Sequence, residues 1–103
     1  MRLVELFLPL ADNEGRPFGR EVFREVRTEL VERFGGLTAF TRAPAEGLWA
    51  EEAGEPPVKD DIVVFEVMDE HFDRAWWRAY RERLKSRFRQ DEILIRATET
   101  ERL

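Results

Sequence analysis

Two glutamates interrupt stretches of the sequence that are otherwise apolar, and they are the first residues that could do chemistry. Glu5 lies in RLVELFLPL (residues 2–10) and Glu66 lies in IVVFEVM (residues 62–68). Two carboxylates that share a partly dry site shift each other's pKa and can act as a general acid and a general base. The alternative is structural: each glutamate pairs with an arginine of the same chain or of a partner, because an unpaired buried charge is costly. The predicted polar cluster consists of Glu5, Glu66, Arg42 and Arg96.

His71 is the single histidine of the chain. A histidine can serve as a general base near neutral pH, but the sequence supplies neither a nucleophile nor an orienting partner for it. Its acidic neighbours Asp69, Glu70 and Asp73 indicate an exposed position in the first turn of a helix. No catalytic residue is therefore assigned. With one histidine and no cysteine, three-histidine and zinc-thiolate sites within one chain are excluded, and we expect neither a metal nor a cofactor.

Aromatic and polar residues indicate where a small ligand could bind. Trp49 follows Gly47 in a loop-rich segment, and loops often carry binding residues, although the indole could instead seal the core or contact a partner. Trp76 is predicted to pack in the core and Trp77 to be partly exposed. Asn13 precedes a predicted helix, whose N-terminus could attract a small anion. The predicted lining of a pocket between helices and sheet is Trp49, Arg42, Asn13, Trp76 and Tyr80.

Composition narrows the functional classes. The 103 residues predict one domain, residues 1–103, and 43% apolar with 38% charged residues are typical of a globular chain. Lys+Arg 17 against Asp+Glu 22 gives a net charge of -5, which argues against nucleic acid as a partner. Without cysteine there is no disulfide and no thiolate catalysis. No signal-peptide pattern is present and the N-terminal apolar run is too short to span a bilayer, so we expect a cytoplasmic protein without a membrane partner.

Six predicted elements must position these residues. Apolar spacings of three and four mark two helices, and Gly35-Gly36 ends the first of them. A long hairpin over Ala43–Asp61, whose first arm continues through Leu48-Trp49, joins the second and third strands. The order βαββαβ predicts an α+β, ferredoxin-like fold: a four-stranded antiparallel sheet of order 4-1-3-2 with both helices on one face. The predicted strands are Leu3–Leu10, Leu37–Arg42, Ile62–Met68 and Glu92–Thr98, and the predicted helices are Arg20–Phe34 and a segment from Asp69–Phe72 to Arg89.

The first and third strands read as apolar on both faces, whereas two helices can cover only one face of a small sheet. Alternation places Val4, Leu6, Leu8, Val63, Phe65 and Val67 towards the helices. The opposite surface, called the open face below, carries the polar cluster together with Leu3, Phe7, Phe40, Ile62, Val64, Met68 and Leu94. A soluble monomer seldom exposes so large an apolar patch. The sequence therefore predicts a two-fold homodimer whose open faces pack together.

This layout resembles the dimeric α+β barrel superfamily, which includes cofactor-independent monooxygenases. FGGLTAF (Phe34–Phe40), EGLW (Glu46–Trp49) and DDIVVFEV (Asp60–Val67) also resemble small bacterial families of this plan that have no settled activity. The resemblance implies a small-molecule-binding protein or a cofactor-independent monooxygenase-like enzyme. The alternative is a non-enzymatic homodimeric interaction or accessory protein. A nucleic-acid module is the weakest reading, because binding single strands requires basic residues and exposed aromatics on the open face.

Overall fold

The computed structural model describes the backbone of residues 1–49 and 58–103 and the side chains of residues 1–40 and 62–103. The element order βαββαβ is the predicted one. The elements are β1 (Arg2–Pro9), α1 (Arg20–Phe34), β2 (Thr38–Trp49), β3 (Val58–Asp69), α2 (Arg74–Arg87) and β4 (Ile95–Glu99). None of the helices in the described ranges is both long and apolar enough to cross a bilayer.

The four strands form one antiparallel sheet in the order β2-β3-β1-β4, which confirms the predicted strand order and the ferredoxin-like plan. The two central strands are β1 and β3. Their register sets Glu5 opposite Glu66 on one side and opposite Arg96 on the other. Thr38 of β2 lies opposite Glu66. A polar row of four residues therefore crosses the open face in the order Thr38, Glu66, Glu5, Arg96.

The core lies between the helices and the inward face of the sheet. One buried cluster joins the inward residues of β1 and β3 to Val26 and Leu30 of α1 and to Tyr80 and Leu84 of α2. The predicted inward residues of the two central strands are all buried: Val4, Leu6, Leu8, Val63, Phe65 and Val67. Both helices consequently cover the same face of the sheet, and the opposite face has no helix over it in the described chain.

Helix α1 has the predicted bounds because strong local signals mark its C-terminal end. Gly35 adopts a left-handed backbone with φ 81°, and its N–H donates to the carbonyl of Val31. Glycine adopts that conformation without a Cβ clash, so the helix ends there.

Helix α2 differs from the prediction in its start and in its phase. Asp73 is the N-cap and accepts a hydrogen bond from the Trp76 N–H at 3.1 Å, so the helix begins at Arg74. His71 therefore precedes the helix instead of lying in its first turn. The prediction that Trp77 is partly exposed is wrong, because Trp77 is only 4% exposed. Trp76 packs against the core, as predicted, but is only half-buried.

The strand bounds also shift by a few residues. β4 begins at Ile95 instead of Glu92, and β3 begins at Val58 instead of Ile62. The first arm of the predicted hairpin does continue through Leu48-Trp49, since Ala45–Trp49 pair with Val58–Ile62. The pairing of β1 with β3 ends at Pro9 opposite Ile62. The outer part of the β2–β3 hairpin is thus a two-stranded ribbon beyond the end of β1.

Candidate functional site

A cleft of about 770 Å³ lies where the open face meets the C-terminal end of α1, and we call it the corner cleft. The end of β3, the start of β1, the α1–β2 connection and the residues that follow β3 all contribute to its walls. Its lining consists of Leu3, Arg33, Phe34, Gly35, Gly36, Leu37, Thr38, Glu66, Val67, Met68, Asp69, Glu70, His71 and Arg102. Glu66, the second residue of the polar row, is therefore a wall residue of this cleft.

The carboxyl of Glu66 lies in an environment that favours its protonated form. Burial and the carboxylate of Glu5 on the neighbouring strand together raise the pKa of Glu66. Glu5 itself is neutralised from the other side, because Arg96 Nε donates to Glu5 Oε1 at 2.9 Å. The Arg96 guanidinium also lies over the Phe7 ring, 4.8 Å from its centroid. The pair of glutamates is thus one carboxyl held by an arginine beside one carboxyl whose pKa is raised.

The structure brings together three of the four members of the predicted polar cluster. Glu5, Glu66 and Arg96 lie side by side, and the predicted ion pair between Arg96 and Glu5 is present. The side chain of Arg42 lies outside the described residues.

Asp69 fixes the turn that carries His71 into the corner cleft. Its side chain is nearly inaccessible, and Oδ2 accepts the indole N–H of Trp77 at 2.8 Å. Oδ1 accepts the backbone N–H of His71 at 3.1 Å. One buried carboxylate therefore joins the end of β3, the following turn and the buried face of α2. The His71 side chain is exposed, as predicted, and lines the cleft.

Helix α1 supplies the opposite wall through its last turn. Phe34 stacks on the Trp77 ring with centroids 5.1 Å apart, and the Arg33 guanidinium lies 4.1 Å from the Trp76 ring centroid. These contacts hold the end of α1 against α2. Arg33 consequently lies at the edge of the cleft, on the same side as the half-buried Trp76 indole.

The residues predicted to line a pocket between helices and sheet occupy separate places. Trp76 and Tyr80 stack with ring centroids 4.8 Å apart, but Tyr80 is buried in the core and Trp76 packs beside it. Asn13 is exposed in the loop that Asp12 organises through the backbone N–H groups of Glu14 and Arg16. Neither the corner cleft nor the second cleft described below is lined by any of these three residues. The side chain of Trp49 lies outside the described residues.

Several lining residues were not singled out from the sequence as site residues. Thr38 and Arg33 flank the glycines that end α1, and Arg102 approaches from the far end of the chain. The one local signal was Gly35-Gly36, because a glycine turn beside a strand allows a close approach to neighbouring groups.

The corner cleft offers groups of both charges to a ligand. Glu66 and Glu70 can accept hydrogen bonds or bear negative charge, Arg33 and Arg102 bear positive charge, and the Thr38 hydroxyl can donate or accept. In the part of the chain that is described, no three His, Asp or Glu side chains come close enough to hold a metal ion. The chemistry available is proton exchange at Glu66 and binding of a polar molecule with separated charges.

No protein-family model matches this sequence, and no curated protein matches it. Solved structures match the fold at low identity. A phage SAM lyase in complex with S-methyl-5'-thioadenosine has a TM-score of 0.61 at 16% identity, over 95% of this chain and 80% of that one. The phage SAM lyase in its apo state gives 0.60 at 13% identity, over 94% and 78%. A CutA1 variant from Pyrococcus horikoshii OT3 gives 0.58 at 15% identity, over 100% and 86%. The chain is thus similar in fold to small α+β proteins of the ferredoxin-like type.

Proposed function

We propose that this chain is a small-molecule-binding protein that works as a homodimer, with the ligand in the corner cleft. The observation that carries the proposal is a cleft of about 770 Å³ with Glu66 in its wall, within the size range of small-ligand sites. Charged groups of both signs line it, so the favoured ligand is a polar molecule that carries both a cationic and an anionic group. The cofactor-independent monooxygenase activity implied by the resemblance would have to use this cleft, where Glu66 is the group placed to donate a proton.

The homodimer is supported by the apolar residues of the open face. Leu94 is 55% exposed, Phe40 is 47% exposed and Met68 is 40% exposed in the single chain. Phe7 and Phe40 flank Val64 in register, so these side chains form a row beside the polar row. Burying such a patch is favourable by about 25 cal/mol per Å² of apolar surface. A second copy of the same face provides the matching surface by symmetry.

The β2–β3 ribbon gives a second reason for a partner. An isolated two-stranded ribbon is only marginally stable in water. Glu46–Trp49 pair with Val58–Asp61 beyond the end of β1. A second copy that packs on the open face could also support this ribbon.

Ligand binding is tested by NMR titration of the labelled protein. The probes are S-methyl-5'-thioadenosine, chosen because one structural neighbour was solved with it, and a panel of free amino acids, which carry both charges. We expect at least one probe to shift the amide signals of Thr38, Glu66 and His71. Glu66→Gln should weaken the binding of that probe about tenfold, because one charge-assisted hydrogen bond is lost. The matched control is Glu92→Gln, which removes an exposed carboxylate outside the cleft lining and should leave binding unchanged. Shifts confined to other residues would refute the site.

The second candidate function is a non-enzymatic homodimeric accessory protein. The tight packing of the core favours it, since eleven of the described side chains, Tyr80 among them, are essentially inaccessible. The two functions differ in one outcome. The accessory protein forms the dimer but binds no probe in the corner cleft, whereas the binding protein does both.

A further inference from the structure

The second cleft, about 240 Å³ in volume, lies between α2 and the edge of the sheet formed by β1 and β4. We call it the arginine cleft. Its lining is Arg2, Val4, Phe72, Arg74, Trp77, Arg78, Arg81, Ile95, Arg96 and Ala97, and it includes no aspartate or glutamate of the described residues. Four of the five arginines add positive charge to this small cleft in a chain whose net charge is -5, whereas the Arg96 guanidinium lies against Glu5 and Phe7 on the open face.

Helix periodicity places three of these arginines on one side of the cleft. Arg74, Arg78 and Arg81 are separated by four and three residues, so they lie along one face of α2. Arg74 is the first residue of the helix, where the helix dipole adds positive potential.

Aromatic contacts orient the guanidinium groups at one end of the cleft. Phe72 lies between Arg2 and Arg74, whose guanidinium carbons are 5.3 Å and 5.5 Å from the ring centroid. Cation–π contacts of this kind leave the N–H donors at the edge of a guanidinium free for other partners.

Arg81 lines the arginine cleft with a side chain that is 42% exposed. Its Nε atom is buried and has no hydrogen-bond partner among the described residues. The nearest carboxylate to its guanidinium, that of Glu82, is 3.6 Å from Nη2, beyond ordinary hydrogen-bond length. The other N–H donors of this guanidinium belong to that partly exposed side chain, so they can reach an anion in the cleft.

Carboxylates around the arginine cleft neutralise only part of its charge. Arg2 pairs with the exposed Glu99 at 3.4 Å, and Arg96 is held by Glu5 on the open face. Arg74 and Arg78 have no carboxylate partner in the described ranges. The floor is apolar, with the buried side chains of Val4 and Trp77 and the half-buried Ile95 and Ala97.

We propose that the arginine cleft is a binding site for a compact organic phosphate. A dianionic phosphate with three terminal oxygens matches a cleft wall of three arginines better than a carboxylate, which has two oxygens and one charge. The apolar floor accepts the carbon part of the ligand, and the small volume limits that part to a compact group. The acidic charge of the rest of the chain opposes an extended nucleic-acid backbone.

The test is calorimetric titration at low ionic strength with phenyl phosphate, benzoate and benzyl alcohol. We expect phenyl phosphate to bind to one site per chain, benzoate to bind at least tenfold more weakly, and benzyl alcohol not to bind. Arg78→Gln should weaken the binding of phenyl phosphate about tenfold or more. Arg78→Lys keeps the charge but loses the planar guanidinium, so its affinity should lie between those of the wild type and Arg78→Gln.

The matched control is Arg24→Gln on α1, which removes the same charge outside the cleft and should change binding less than about twofold. If Arg78→Gln unfolds, Arg74→Gln replaces it, since that side chain belongs to an exposed residue. Equal weakening by the Arg24 and Arg78 variants, or equal affinity for benzoate and phenyl phosphate, would overturn the proposal. So would tighter binding of a single-stranded oligonucleotide with a steep dependence on salt.

Discussion

The buried carboxylate of Asp69 gives the sharpest test of how the corner cleft is positioned. Asp69→Ala removes the acceptor of two hydrogen bonds, at 2.8 Å from the Trp77 indole and at 3.1 Å from the His71 backbone. The backbone N–H of His71 can hydrogen-bond to water instead, because His71 is exposed. The indole N–H of Trp77 is buried and is left without a partner. A lost bond to a charged acceptor together with an unsatisfied buried donor predicts a loss of about 2–4 kcal/mol.

That loss is large for a chain of this size, whose total stability is expected to be about 5–15 kcal/mol. Urea unfolding followed by far-ultraviolet circular dichroism measures it directly. The matched control is Asp73→Ala, which removes an exposed N-cap carboxylate from the same helix and should cost about 1 kcal/mol.

A double-mutant cycle with Trp77→Phe isolates the buried bond. Because the phenylalanine has no N–H, Asp69→Ala should cost at least about 1.5 kcal/mol less in that background. Purely additive losses, or a cost of Asp69→Ala no larger than that of Asp73→Ala, would refute the view that this hydrogen bond joins β3 to α2.

Three further predictions concern single groups. Burial and Glu5 raise the pKa of Glu66 above its ordinary 4.5, so the native state holds this proton more tightly than the unfolded state. The free energy of unfolding therefore falls as pH rises from about 4.5 through the raised pKa. Glu66→Gln should therefore be more stable than the wild type by about 0.2–1 kcal/mol at pH 7 and nearly equal below pH 4, and urea titrations showing a less stable variant at pH 7 would contradict this. Burial raises the pKa of Tyr80 to about 12, and its hydroxyl has no partner in the described residues, so Tyr80→Phe should leave thermal stability unchanged or higher; a clear loss would reveal a missed hydrogen bond. Gly35→Ala should cost about 1 kcal/mol because of its φ of 81°, whereas Gly36→Ala should cost less, and equal costs in denaturant would reject this explanation.

The ferredoxin-like fold could be predicted because its signals are local and agree with one another. The apolar alternation in β1 and β3 gave the correct inward faces, and Gly35 gave the end of α1. Helix α2 shows the limit of periodicity. Its phase depends on the Asp73 cap and on the bond between Trp77 and Asp69, and apolar spacing alone selected Trp76 instead.

The corner cleft could be predicted only in part, for a topological reason. Alternation and strand order brought Glu5, Glu66 and Arg96 to one face, because register across a sheet follows from pleat and pairing. Thr38 and Arg102 enter the cleft from segments far apart in sequence, and no motif links them. Contacts of this kind depend on how connections pack at the end of a sheet, which residue spacing does not encode.

The sequence alone did not indicate the arginine cleft. The arginines of α2 share the helix with Glu82, and mixed charge on a helix usually indicates a solvated face. Their significance depends on Arg2, which β1 places beside them, and on Phe72, which two guanidinium groups cover.

Sedimentation velocity of the dilute protein tests the homodimer most directly. The account predicts a species of about twice the chain mass of 12.2 kDa, which Leu94→Glu converts to folded monomer by placing a charge on the open face. Val31→Glu, which changes an equally apolar exposed residue on α1, should leave the dimer intact. A folded wild-type species near 12.2 kDa, or dissociation by Val31→Glu and not by Leu94→Glu, would contradict the assembly proposed for the open face.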